Sequence, residues 1–197
     1  SNQTVHAGIL DVPVGKTDLQ QCADAVMRLR ADYLFSEKRY DEISFNFTNG
    51  FQAAYSQWRK GQTIQVQGNH CQWTNASFAN GSQDSYQLYL QKVFAFAGSL
   101  SLAKQLKPVT DITTLIAGDV WIRGGSPGHA VIVLDVATNK AGKKIFLIAQ
   151  SYMPAQDIHI LKNPGNELIS PWYAVEDIQN ELETPEYTFY KTELRRW

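Results

Sequence analysis

The stretch that most constrains the fold is residues 118–137, GDVWIRGGSPGHAVIVLDVA. A Gly-Gly-Ser-Pro-Gly turn separates two apolar runs, and the second, from His129 to Ala137, is rich in β-branched residues and reads as a buried strand. KKIFLIAQSY (143–152) follows across a turn at Asn139–Gly142, so the two runs pair as an antiparallel hairpin, and DIHIL (157–161) adds a further strand. The second half of the chain is therefore expected to be an antiparallel meander. A histidine stands where its central strand begins, and that position needs a chemical reason.

Upstream the periodicity is mostly helical. Thr17 and Gln20 have capping-box spacing, and Cys22, Val26, Leu29 and Tyr33 recur every three or four residues, which predicts a helix over 17–35. ISFNFT (43–48) alternates as a half-buried strand does. Asn49-Gly50 is a turn, and Phe51, Tyr55 and Trp58 mark a short amphipathic helix before a strand at TIQVQ (63–67). Residues 68–83, GNHCQWTNASFANGSQ, read as a polar loop. A helix over 84–106 runs through Tyr86, Leu90, Val93, Phe94 and Ala97, kinks at Gly98 and stops at Pro108. The expected class is α+β, with N-terminal helices followed by an antiparallel sheet. With 197 residues, 44% of them hydrophobic, the chain can bury one sizeable core as a single domain over 1–197.

Composition excludes some partners. Eighteen basic and 19 acidic residues leave a formal charge of −1, which provides no field for nucleic acid or anionic membrane. No apolar run reaches the ~18 residues of a membrane span. The opening SNQTVHAG has neither an initiator methionine nor a signal-peptide core, the expectation for a mature or trimmed chain. The two cysteines, Cys22 and Cys71, are too few for a disulfide framework and are expected to be free of one another. No set of ligands has metal spacing, so neither a metal nor another cofactor is expected.

His129 has two readings. It caps the strand and is satisfied by backbone groups, or it is a catalytic imidazole at the end of a rigid element, reaching a cleft bordered by Gly124, Gly125 and Gly128. The hairpin would bring Gln150 alongside it, where an amide can hold one ring nitrogen as the third member of a nucleophile–base–orienter set. Cys22 is the first candidate nucleophile, weighed against a buried cysteine in an apolar stripe. If the helix starts at Thr17 the thiol sits more than a turn inside, and if it starts near Gln20 or Gln21 the helix dipole assists the thiolate. Beside His129 the thiol would be partly ionised near neutral pH. Cys71, next to His70 in the polar segment, is the rival. Ser99 and Ser151 stand in no hydrolase motif, Asp24 and Arg28 form a solvated helix pair, and His159 belongs to a strand. Trp172 and Tyr173, with Gly128, are candidate substrate-binding residues.

GDVWIRGGSPGHAVIVLD followed by FLIAQS resembles the core of papain-like NlpC-type and CHAP-type cysteine peptidases and amidases of bacterial cell walls. The resemblance places Gly118 and Asp119 in a turn that opens a strand, His129 as base, Gln150 as its orienter and Cys22 as nucleophile. It implies a papain-like fold in which residues 41–117 are an insertion, a peptide or peptidoglycan-like substrate and an extracytoplasmic setting. A non-catalytic binding module on that scaffold is the competing expectation. CADAVMRLRADYL, FTNG, PGHAVIVLDVA and AQSYMPAQDIHIL also resemble, over nearly the whole length, a bacterial family known only as a domain of unknown function.

Overall fold

The computed structural model describes residues 5–13 and 19–197. The chain enters with a strand, β1 (His6–Ile9), followed by α1 (Cys22–Ser36). Two hairpin-like ladders come next: β2 (Ser44–Asn46) with β3 (Gln52–Ala54), then, after the short α2 (Tyr55–Trp58), β4 (Gln62–Gln67) with β5 (His70–Asn75). Helices α3 (Gln83–Phe96) and α4 (Ser99–Gln105) lead to the remaining strands. These are β6 (Lys107–Pro108), β7 (Val120–Arg123), β8 (His129–Thr138), β9 (Lys144–Gln150), β10 (His159–Leu161), β11 (Tyr173–Ala174), β12 (Glu181–Glu183), β13 (Thr188–Tyr190) and β14 (Leu194–Arg196).

Eight strands form the main antiparallel sheet in the order β1-β10-β9-β8-β7-β14-β6, with β11 also paired to β9. β12 and β13 form their own hairpin. The β8–β9 pairing continues from Ile132↔Ala149 to Thr138↔Lys144, with an irregularity between Val133 and Asp135.

This arrangement corrects the expected papain-like order of N-terminal helices followed by a sheet. A strand precedes the first helix and lies at one edge of the sheet, and the helices alternate with two-stranded ladders before β6. The physical reason is that short apolar segments between the helices, such as Phe45, Ala53 and Ile64, pair locally and bury against the helices. Residues 70–75, read as loop, are strand β5, joined residue for residue to β4 from Gln62↔Asn75 to Gln67↔His70. Their polar composition suits a ribbon with exposed positions on both strands. The helix expected over 84–106 is two helices, broken at Ala97 and Gly98, where both residues are extended.

Strand alternation divides the interior into two cores. Ala130, Ile132 and Ala149 face α1, α3, α4 and the small ladders, so residues within 41–117 share one core with α1. Val131, Val133, Phe146 and Ile148 face the other way, toward Tyr173, Leu182, Phe189 and Leu194. Asp119, fully buried, is held by Arg196 in a two-pronged ion pair at 2.6 and 2.7 Å and accepts from the Ile116 N–H at 3.0 Å. That pair ties β14 to the turn ahead of β7.

Candidate active site

α1 begins at Cys22 itself, with Gln21 as the capping residue. The Thr17 start expected from the capping-box spacing lies outside the described residues. The capping box is closed by Asp24, whose carboxylate accepts from the Gln21 N–H at 3.1 Å. Arg28 pairs not with Asp24 but with Asp32, at 2.5 Å. First-turn N–H groups have no carbonyl four residues back to bind, so the sulfur of Cys22 sits at the positive end of the helix.

His129 is the first residue of β8, and by alternation it faces the core of Val131 and Val133, on the side of the sheet away from α1. Cys22 and His129 each stand at the very start of their element. They line one cavity of about 370 Å³ with Gly98, Ser99, Gly128 and Tyr152. The backbone amide of Ala130, next to His129, acts on the Cys22 sulfur together with those of Ala23 and Cys22. Ser151 anchors the approach to the helix: its hydroxyl lies 3.0 Å from the Gln20 carbonyl and 2.8 Å from that of Gln156.

Gln150 ends β9 on the same face as His129, and its Oε1 lies 2.7 Å from His129 Nε2. Both residues are buried. Three aromatic rings enclose the imidazole: Tyr187 at 5.0 Å, Tyr152 at 5.2 Å and Phe189, stacked, at 5.9 Å between centroids. Tyr187 and Phe189 come from the β12–β13 hairpin and its turn, far along the chain, and the sequence carries no periodic signal for them.

Gly128 is fixed by space. A Cβ there would lie 2.4 Å from Ser99 Oγ, 2.6 Å from the Gly125 carbonyl and 2.8 Å from the Arg123 carbonyl. Only glycine lets the 125–128 turn fold back onto α4 and deliver His129 to the cavity.

The electrostatics favour a neutral resting pair. Burial is the largest influence on both groups: it pushes the Cys22 thiol up and holds the His129 imidazole below its usual value. Neighbouring backbone N–H groups pull the thiol part of the way back, and Asp24 opposes them. On the imidazole, Gln150 and Glu186 favour the protonated form, and His159 disfavours it. The expected partly ionised thiol is thus replaced by a thiol that shares its cavity with a neutral base.

The remaining candidates lie elsewhere. Cys71 is on β5, in the separate β4–β5 ribbon, where Asn49 Nδ2 lies 3.1 Å from its sulfur, and both cysteines are free. Trp172 and Tyr173 do not line the cavity. Tyr173 pairs with Phe146 across β11–β9, and its hydroxyl donates to the Lys162 carbonyl at 2.5 Å. His159, on β10 directly opposite Gln150, is buried against it. Among the described residues no three His, Cys, Asp or Glu side chains group as metal ligands, and no helix is long and apolar enough to cross a membrane.

A cysteine, a bare imidazole and an amide that holds the imidazole can together perform acyl transfer through a covalent thioester. A family model described as Domain of unknown function (4846) matches residues 1–196. No curated protein and no solved structure matches the chain, the papain-like enzymes included.

Proposed function

We propose that this chain, which belongs to the family described as domain of unknown function 4846, is a cysteine-dependent hydrolase of peptide or amide bonds. The observation that carries the reading is the His129 Nε2 to Gln150 Oε1 contact at 2.7 Å beside a cavity shared with Cys22. It leaves Nδ1 as the ring nitrogen without a hydrogen bond among the described residues. Cys22 Sγ attacks the scissile carbonyl carbon while His129 Nδ1 takes the thiol proton. In this mechanism the developing oxyanion is received by first-turn N–H groups of α1. The imidazolium gives its proton to the leaving amine as the C–N bond breaks. Water, deprotonated by Nδ1, then attacks the thioester, which releases the acid and returns the proton to sulfur. A neutral resting pair suits this sequence, because proton transfer accompanies attack rather than preceding it.

The local likeness of residues 118–151 to NlpC-type and CHAP-type enzymes supplies the substrate class, a peptide or amide bond in cell-wall material, and with it an extracytoplasmic site of action. A second reading, a binding module that uses the same cavity without chemistry, is favoured by the raised pKa of the thiol.

Acylation separates the two. With Cys71→Ser as background, p-nitrophenyl acetate should place one acetyl group on Cys22, read by peptide mass spectrometry. His129→Ala should slow that step by about a hundredfold or more, the range of general-base assistance. A Cys22 that stays unmodified in the folded protein, or that reacts at the same rate without His129, refutes the hydrolase and leaves the binder.

A further inference from the structure

The amide of Gln150 has two possible orientations, and only one of them makes His129 a base toward the cavity. Its nitrogen lies 2.7 Å from Glu186 Oε2. A carboxylate only accepts, so the group facing Glu186 must be the NH₂. The same nitrogen lies 3.4 Å from His159 Nε2, while His159 Nδ1 lies 2.9 Å from the Asp157 carbonyl. Because that carbonyl accepts the Nδ1 proton, the neutral His159 ring presents its lone pair at Nε2, a second, longer-range acceptor for the amide. With its nitrogen directed at two acceptors, Gln150 can offer His129 only Oε1, so His129 Nε2 must carry the ring proton and Nδ1 must be bare.

Resting on the hydrolase reading, we propose that Glu186, in the 184–187 turn between β12 and β13, is a positioning residue that sets the tautomer of His129 through Gln150. Removing its carboxylate takes away the shorter of the two contacts on the amide nitrogen and leaves only the 3.4 Å contact to His159 to oppose turning over. Its NH₂ would then donate to His129 Nε2, the proton would sit on Nδ1, and the ring could not accept from Cys22. Glu186 is half-buried and also borders a second cavity, of about 550 Å³, with His6, His159 and Tyr152. It touches no reacting atom and works only through the amide.

The direct test is the ¹⁵N spectrum of the labelled imidazoles, with the His129 resonances assigned by their loss in His129→Asn. In the unsubstituted protein at pH 8, Nε2 should resonate as a protonated ring nitrogen and Nδ1 as a bare one. In Glu186→Ala the ratio of the two tautomers should move roughly tenfold to a hundredfold toward the Nδ1-protonated form, the range of a lost hydrogen bond to a charged group, and acetylation of Cys22 should slow with it. Glu186→Gln keeps an acceptor oxygen and should retain most of the original tautomer. An unchanged His129 spectrum in Glu186→Ala, or a protonated Nδ1 in the unsubstituted protein, overturns the proposal. A tautomer that shifts as expected in a protein whose Cys22 is never acetylated upholds the positioning and refutes the hydrolase instead, so the two failures are distinct.

Discussion

Replacing Asp24 by asparagine should stabilise the protein above neutral pH and destabilise it in acid. Asp24 is 8% exposed; one carboxylate oxygen accepts from the Gln21 N–H, and the other is buried with no partner among the described residues. Burial raises its pKa from 3.8 to about 7. Below pH 4 the group is protonated in both the folded and the unfolded chain. Between pH 4 and 7 the unfolded chain releases the proton and the folded one keeps it, so stability falls as pH rises and the loss is complete above pH 7. About three pH units at ~1.4 kcal/mol each put the loss at roughly 4 kcal/mol. Asparagine preserves the shape and the acceptor for Gln21 but leaves a buried NH₂ without an acceptor, at a cost of about 1–3 kcal/mol. The variant should therefore gain on the order of 1–3 kcal/mol over the natural chain at pH 8 and should fall about 1–3 kcal/mol below it at pH 4. Urea unfolding followed by tryptophan fluorescence at pH 4, 6 and 8 measures both curves. A difference between the two proteins that is the same at pH 4 and pH 8 refutes the reasoning, because it would mean that the carboxyl titrates alike folded and unfolded.

Two further outcomes follow from the same site. Gly128→Ala should displace the start of β8, because two of the three short contacts are to backbone carbonyls that cannot swing away. A melting temperature several degrees lower and a loss of Cys22 acetylation would show it, and a variant unchanged in both would contradict it. The acid limb of Cys22 acetylation should fall below the ordinary histidine value of 6.5, because burial holds His129 down and keeps it an acceptor to lower pH. A rate profile over pH 4–8 whose midpoint lies above 6.5 would contradict that.

The hairpin of β8 and β9 was legible because a long run of β-branched residues bounded by glycine turns admits few alternatives. Counting back from the turn, however, would set Gln150 opposite Ile132; it shares the face of His129 because the irregularity between Val133 and Asp135 shifts the register by one residue, a shift that the sequence does not mark. The start of α1 was ambiguous for a physical reason: Thr17–Gln20 and Gln21–Asp24 both have the spacing of a cap, and which box closes depends on how the segment meets the sheet, through Ser151 and the Gln20 carbonyl. The second strand of the ribbon, 70–75, was hidden by its polarity, since a strand with exposed positions needs no apolar alternation. Trp172 and Tyr173 looked like a pocket because aromatic residues serve both pockets and cores; the pairing of Tyr173 to β9 puts its ring on Phe146, in the core. Glu186 carries no local mark, and its role depends on a turn reaching across 36 residues to Gln150.

Strand β14 lies between β7 and β6, and its residues 194–196 pair with residues 120–121 on one side and 107–108 on the other. That topology gives the sheet a high contact order. β6 cannot join it, and Asp119 cannot meet its counter-ion Arg196, until some 70 to 90 residues of intervening chain have been brought together, which costs closure entropy before any pairing rewards it. On a ribosome that releases the chain from its N-terminus, β7 would wait as an exposed edge while the whole β8–β13 segment is made, so the unfinished sheet would present a template for pairing with other chains during this interval. Folding speed and aggregation during synthesis are thus governed by the last strand to appear, on the flank of the sheet away from β1 and β10.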